Sequence, residues 1–148
     1  VANYGDYDFP DELYYHKEHS WARVEEGKIR VGMNDMFRAT AGDIVFVDLP
    51  SEGDEVAQGE VCGKIQSSKW IGKLYAPVGG EVVEINEDLS DDPALINKDP
   101  YGAGWLIVIE PSNREADLAN LMQGEALRPW IEGEIRRAEE LKKRPEGG

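Results

Sequence analysis

The apolar positions of this chain fall into two regions with different rhythms. Between Leu13 and about Ile109 they gather in short runs, rich in β-branched and aromatic side chains and broken by Gly, Asp and Pro. Runs of that length and composition predict strands. Residues 21–25 and 29–31 flank Glu26-Gly27, which predicts a tight hairpin. Residues 44–47 form a run that ends at Leu49-Pro50, and residues 61–65, 82–85 and 106–109 continue the series. Many short strands separated by such turns predict a compact sandwich or barrel. Residues 1–12 are acidic and rich in turn formers, and read as a loosely packed arm in front of a β domain at 13–111.

A weak internal repeat runs through the β region. Gly42-Asp43-Ile44-Val45-Phe46-Val47-Asp48 resembles Gly80-Glu81-Val82-Val83-Glu84-Ile85-Asn86 at an offset of 38 residues (80 − 42). Two related strand units predict two sheets packed face to face. The period does not return a third time, which excludes a solenoid.

After Pro111 the rhythm becomes helical, so residues 112–148 read as a C-terminal helical extension. Ser112 or Asn113 suits an N-cap, and Leu118, Leu121 and Met122 share one face. Leu127, Trp130, Ile131, Ile135, Ala138 and Leu141 form a second stripe. Gly124, Pro129 and Gly133 are expected to divide the segment into two or three helices. Charges of both signs alternate with the stripe from 132 to 144, which makes the other face solvated and sets the stripe against the β domain.

Charge narrows the function classes. Among 148 residues, 30 Asp and Glu stand against 16 Lys and Arg, a formal charge of −14. Nucleic-acid binding needs clustered Lys and Arg to neutralise phosphates, and an anionic membrane repels such a surface. A basic protein partner or a salty setting suits it better. Cys62 is the single cysteine, so no intrachain disulfide forms and a reducing, cytoplasmic setting is expected. No apolar run approaches the roughly 18 residues of a membrane span, and residues 1–10 do not read as a signal peptide.

The candidate chemistry lies between the two repeat copies, in Ile65-Gln66-Ser67-Ser68-Lys69-Trp70-Ile71-Gly72-Lys73-Leu74-Tyr75. A lysine between two strands of a β unit sits at a hairpin tip, where a modifying enzyme reaches its ammonium and an attached arm sweeps freely. Lys64 and Lys73 are rival positions by proximity. His16 and His19, three apart, could share one helical face, but a pair without further ligands is a poor metal site. Cys62, in an apolar run, reads as a small buried thiol, with a persulfide-bearing role as the other option. No catalytic triad, phosphate loop or zinc spacing is present.

The blocks Glu18-His19-Ser20-Trp21, Val31-Gly32-Met33, Gly42-Asp43-Ile44-Val45-Phe46-Val47-Asp48-Leu49-Pro50, Gly53-Asp54-Glu55-Val56, Tyr75-Ala76-Pro77-Val78-Gly79-Gly80-Glu81-Val82, Asn86-Glu87-Asp88-Leu89 and Asp99-Pro100-Tyr101-Gly102-Ala103-Gly104-Trp105-Leu106 follow one another in order. In this the chain resembles the glycine cleavage H-protein family of lipoyl carriers, over about two-thirds of its length. The resemblance implies a mainly β, lipoyl/biotinyl-type barrel-sandwich hybrid with flanking and C-terminal helices. It implies a carrier rather than an enzyme, with lipoic acid in amide linkage on Lys69 and a lipoate-protein ligase as partner.

Around Lys69 the match loosens. The family usually reads Glu-Ser-Val-Lys-Ala, against Gln66-Ser67-Ser68-Lys69-Trp70 here, and the helical extension after about Gly124 also departs. These features are similar to the H-protein-like lipoate-binding proteins of sulfur-oxidising prokaryotes. That likeness implies a sulfur-bound intermediate presented to a heterodisulfide-reductase-like complex, which is the leading expectation. The alternative is glycine cleavage, with an aminomethyl group as cargo and the glycine cleavage enzymes as partners. A biotin carrier fits less well, since such carriers usually place methionines beside the lysine, and an unmodified binding module ranks behind too. Gln66, Ser67 and Ser68 are expected to be read by the ligase, and Trp70 and Tyr75 to offer apolar surface to the arm.

Overall fold

A computed structural model describes residues 3, 4, 7–69 and 71–143, with side chains for 7–69 and 71–137. The chain opens with β1 (Asn3–Tyr4), β2 (Tyr7–Asp8) and β3 (Tyr14–Tyr15). It continues with β4 (Ser20–Glu25), β5 (Lys28–Met33), α1 (Asp35–Ala41), β6 (Ile44–Asp48) and β7 (Glu55–Val56). Then come β8 (Val61–Ser67), β9 (Ile71–Tyr75), β10 (Gly80–Ile85), α2 (Asp88–Asp91), α3 (Leu95–Lys98) and β11 (Ile107–Pro111). The chain closes with α4 (Arg114–Ala119), a 3-10 turn at Gly124–Ala126 and α5 (Leu127–Lys143).

The expected hairpin forms. β4 pairs with β5 down to Glu25↔Lys28, and Glu26 and Gly27 both take positive φ, 52° and 83°. A two-residue turn of that kind matches the right-handed twist of the strands it joins. The larger sheet runs β3-β4-β5-β11-β10-β7 and the smaller β6-β8-β9, with antiparallel pairing throughout. Ala22, Ile29, Val31, Val82, Ile107 and Ile109 of the larger sheet share one buried cluster with Ile44, Ile65 and Leu74 of the smaller. This is the mainly β sandwich with flanking helices that the sequence predicts.

The repeat is structural. Its copies lie in different sheets, and both break register at the same point: pairing skips from Ile44 to Phe46 and from Val82 to Glu84. Those breaks are 38 residues apart (82 − 44), the offset of the sequence repeat. A bulge in each copy bends its strand locally.

Several expectations need correction. Helix α1 interrupts the β-like region; Asn34 caps it, its Oδ1 accepting the Phe37 N–H at 2.9 Å. His16 and His19 lie on a turn rather than a helix face: His19 N–H donates to His16 O at 3.0 Å and His19 has φ 78°. The part of the arm from Tyr7 onward is pinned. Phe9 is fully buried, Asp8 N–H donates to Asp35 Oδ2 at 2.8 Å, and Tyr101 O–H donates to Asp8 O at 2.6 Å.

Pro129 and Gly133 do not divide α5. Pro129 falls in the first turn, where a backbone N–H has no intrahelical partner to lose. Gly133 is carried by the packing around it: Leu127, Trp130, Ile131 and Ile135 join a second cluster with Phe9, Leu13, Tyr15, Trp21 and Met36. The Ala138 and Leu141 side chains, expected to extend this stripe, lie outside those described. Among the described residues no helix is long and apolar enough to cross a membrane.

Candidate functional site

Strands β8 and β9 come together at Gln66↔Ile71, and beyond that pair Lys69 stands exposed at the tip of the hairpin. Trp70 lies outside the described residues, so its expected contact with an arm is not described. The tip is fastened from below. Lys69 N–H donates to Oγ of buried Ser67 at 3.1 Å, and Ser68 N–H donates to Asp43 O at 2.9 Å. The 42–44 segment is itself clamped by Asn97 of α3, whose Oδ1 accepts the Ile44 N–H at 2.9 Å while its Nδ2 donates to Gly42 O at 2.8 Å.

Gly42 adopts φ 80°, and a Cβ there would lie 3.4 Å from Lys69 Cε and 3.5 Å from Cδ. The lysine stem therefore runs over bare backbone and leaves its ammonium at the surface. Among the described residues, no carboxylate pairs with that ammonium. Asn97→Ala strips the clamp from two backbone groups and is expected to cost about 1–3 kcal/mol. Faster amide exchange at Ser68 than at central-strand positions such as Ile65 would show the loss transmitted to the tip.

Register explains the environment of Gln66. Phe46, Gln66 and Ile71 stand side by side on three adjacent strands, and directly opposed residues share a face. That face is solvated: Phe46 is 56% exposed, Ile71 61%, and neighbouring Val45, in the bulge, 52%. Gln66 is thus a neutral polar group between two exposed apolar side chains. The next row on the same face holds Asp48, Lys64 and Lys73, so the rival lysines sit mid-strand and only Lys69 occupies the tip.

Two clefts lie along β9. One of about 770 Å³ is lined by Tyr15, His16, Glu18, Gln58, Tyr75 and Met122 among others. A smaller one of about 250 Å³ is formed by Glu18, His19, Phe37, Ile71, Lys73 and Tyr75 with Gly72. Tyr75 borders both, its ring stacked on that of His16 with centroids 5.7 Å apart and planes 13° apart. Burial pushes the His16 pKa down, and His16 Nδ1 accepts the Glu18 N–H at 3.1 Å, which leaves the proton of the neutral ring on Nε2.

The remaining candidates recede. Burial, with Glu60 nearby, pushes the Cys62 thiol up to about 11, so it stays protonated at neutral pH and is a poor sulfur nucleophile. Among the described residues, no group of three or more His, Cys, Asp or Glu could hold a metal ion. Sequence reasoning passed over Asn97 and the exposed Phe46 and Ile71. Gly42 had a signal, since it opens the first repeat copy.

The model of the glycine cleavage H-protein family matches residues 13–134. The chain belongs to that family. Its members are lipoyl carrier subunits and not themselves catalysts. Among its relatives, a glycine cleavage system H protein of Oceanobacillus iheyensis is 46% identical over 123 residues, covering 83% of this chain and 97% of the relative. One from Bacillus licheniformis is 47% identical over 113 residues, 76% of this chain and 88% of the relative. A crystal structure of a glycine cleavage system H protein from Mycobacterium marinum superposes with a TM-score of 0.74 at 36% identity, covering 82% of this chain and 98% of that one.

These relatives overturn the sulfur-oxidation expectation and its heterodisulfide-reductase-like partner, because they are named for glycine cleavage. The physical reason is local. Gln66 is an exposed side chain whose exchange leaves the core untouched, so it carries far less weight than a match that runs through both sheets. The family match itself reaches Glu134, within the first half of α5.

Proposed function

We propose that this chain carries a lipoyl group in amide linkage on Nζ of Lys69 and shuttles an aminomethyl group between the enzymes of glycine cleavage. The observation that carries this reading is the position of Lys69: exposed at a two-strand tip, its stem laid over Gly42 and its ammonium unpaired among the described residues. Among the described residues, acylation there breaks no ion pair. When bound, the lipoyl group supplies a dithiolane whose sulfurs accept and release the cargo.

The chain's own residues do the positioning. Ser67 and the Asp43 carbonyl hold the tip in shape for a lipoate-protein ligase, which reads the exposed row of Phe46, Gln66 and Ile71. Tyr75, which borders both clefts along β9, and His16, which lines the larger, offer the arm a resting surface. Glu55, Glu81 and Glu110 stand in one cross-strand row on β7, β10 and β11. Such a concentration of carboxylate steers basic partner faces in a salt-dependent way.

The test is co-expression with a lipoate-protein ligase, followed by intact mass and fragment mapping. One lipoyl increment placed on Lys69 is the expected result. An unmodified chain, or a modification mapped to Lys64 or Lys73, would overturn the assignment.

A further inference from the structure

His19 links three parts of the molecule. Its ring Nε2 lies 2.8 Å from Glu134 Oε1 on α5, and its Nδ1 lies 3.3 Å from Asn34 Oδ1 at the N-cap of α1. Both partners are acceptors. The orientation of Asn34 is set independently, because the same Oδ1 accepts the Phe37 N–H. Turning that amide around would point a donor at a donor and uncap α1. Both contacts of His19 are therefore made as hydrogen bonds only when both ring nitrogens carry hydrogen.

The surroundings fit a cationic ring. The Trp130 ring centroid is 5.0 Å away, and Glu134 is held on its other oxygen by Arg137 at 3.2 Å. The hydrogen bond to His19 is the main reason the Glu134 carboxyl stays below the usual range. The remaining charged and titratable neighbours are Glu18 and Lys73, which share the smaller cleft; Lys17, whose carbonyl accepts the Trp130 indole N–H; and the Asp35–Arg38 pair at the start of α1. His16 lies at the other end of the same turn, with its protonation suppressed by burial.

The linkage reaches the attachment hairpin. α1 runs from Asn34 at one end to Gly42 at the other, and Gly42 underlies the Lys69 stem. The turn held by His19 also walls both clefts along β9. His19 itself occupies a left-handed backbone conformation, φ 78°, that a non-glycine residue keeps only when its surroundings hold it.

We propose that doubly protonated His19 is a latch that ties α5 to the N-cap of α1 and so positions the cleft wall beside the Lys69 hairpin, with Glu134 as its positioning residue. Glu134, whose pKa is depressed in the folded state, contributes stability above its unfolded value that is lost as pH falls through the lower folded value. A ring with hydrogen on only one nitrogen leaves one of the two contacts as acceptor facing acceptor.

The inference does not depend on lipoylation, and its test uses the full chain with the ring nitrogens of histidine labelled. The His19 ring is expected to show hydrogen on both nitrogens. In Glu134→Gln, which keeps the shape but not the charge, the His19 and Asn34 amides, which donate to His16 O and His19 O, should lose about tenfold in protection after correction for intrinsic exchange. His16→Gln should leave that protection in place, which separates the two histidines. A single neutral tautomer of His19, or protection that Glu134→Gln leaves unchanged, would overturn the latch. The mass of the same samples reports Lys69 loading separately.

Discussion

Lys69→Arg is expected to abolish lipoyl loading outright while leaving the stability of the fold unchanged. A guanidinium keeps the positive charge and an aliphatic stem that can lie over Gly42, but it is not an acceptor for the acyl group that an amine takes up. The site is exposed, makes no ion pair among the described residues, and takes no part in either buried cluster. Surface changes of this kind usually stay within about 0.5 kcal/mol. Intact mass after ligase treatment should therefore show no increment, alongside an unaltered urea midpoint. Loading that survives the change would move the arm to another lysine, and a shifted midpoint would mean that the tip bears structural load.

Trp21→Ala is expected to have the largest effect on stability, about 3–5 kcal/mol. Trp21 is fully buried and belongs to the cluster that joins Phe9, Leu13 and Tyr15 to Leu127 and Ile131 of α5. Its indole N–H donates to Pro100 O at 3.0 Å, and its ring fills the space above Gly32, where an added Cβ would come within 2.6 Å. The Arg23 guanidinium lies 4.8 Å from the ring centroid on β4 itself. Removing the indole thus empties a cavity, strands a carbonyl and unseats the C-terminal helix in one step. Neighbouring Ser20 donates its hydroxyl to Tyr75 O at 2.9 Å, so the damage should spread to β9 and to the clefts along it. Chemical denaturation measures the loss; a cost below about 1 kcal/mol would mean that the cluster closes over the gap.

Of the fold, the strands were the most legible part. Their β-branched runs and the Glu26-Gly27 turn are local signals, and local sterics decide them. The repeat of Gly42 and Gly80 foretold two related strand units, and the shared bulge bears this out. Helix α1 escaped notice because its cap, Asn34, lies inside a region dominated by β-like runs. The spacing of His16 and His19 alone could not tell a helix face from a turn. In the site, Lys69 was legible from its place between two strands, whereas Asn97 was not. That residue acts on the 42–44 segment across more than 50 positions of sequence, and nothing near it announces the contact.

By itself, then, the sequence determined the strand series, the acidic balance, the family resemblance and the lysine between two strands. These follow from residue type and short-range spacing. Tertiary structure alone decided that the Phe46, Gln66 and Ile71 side chains form one exposed row, and that α5 returns to brace His19 beside the clefts. It also decided that the stretch before Leu13, which read as a loose arm, anchors Phe9 in the core. Each of these outcomes rests on contacts between residues far apart in the chain. Burial and hydrogen bonding reward such contacts only once the sheets have set the register.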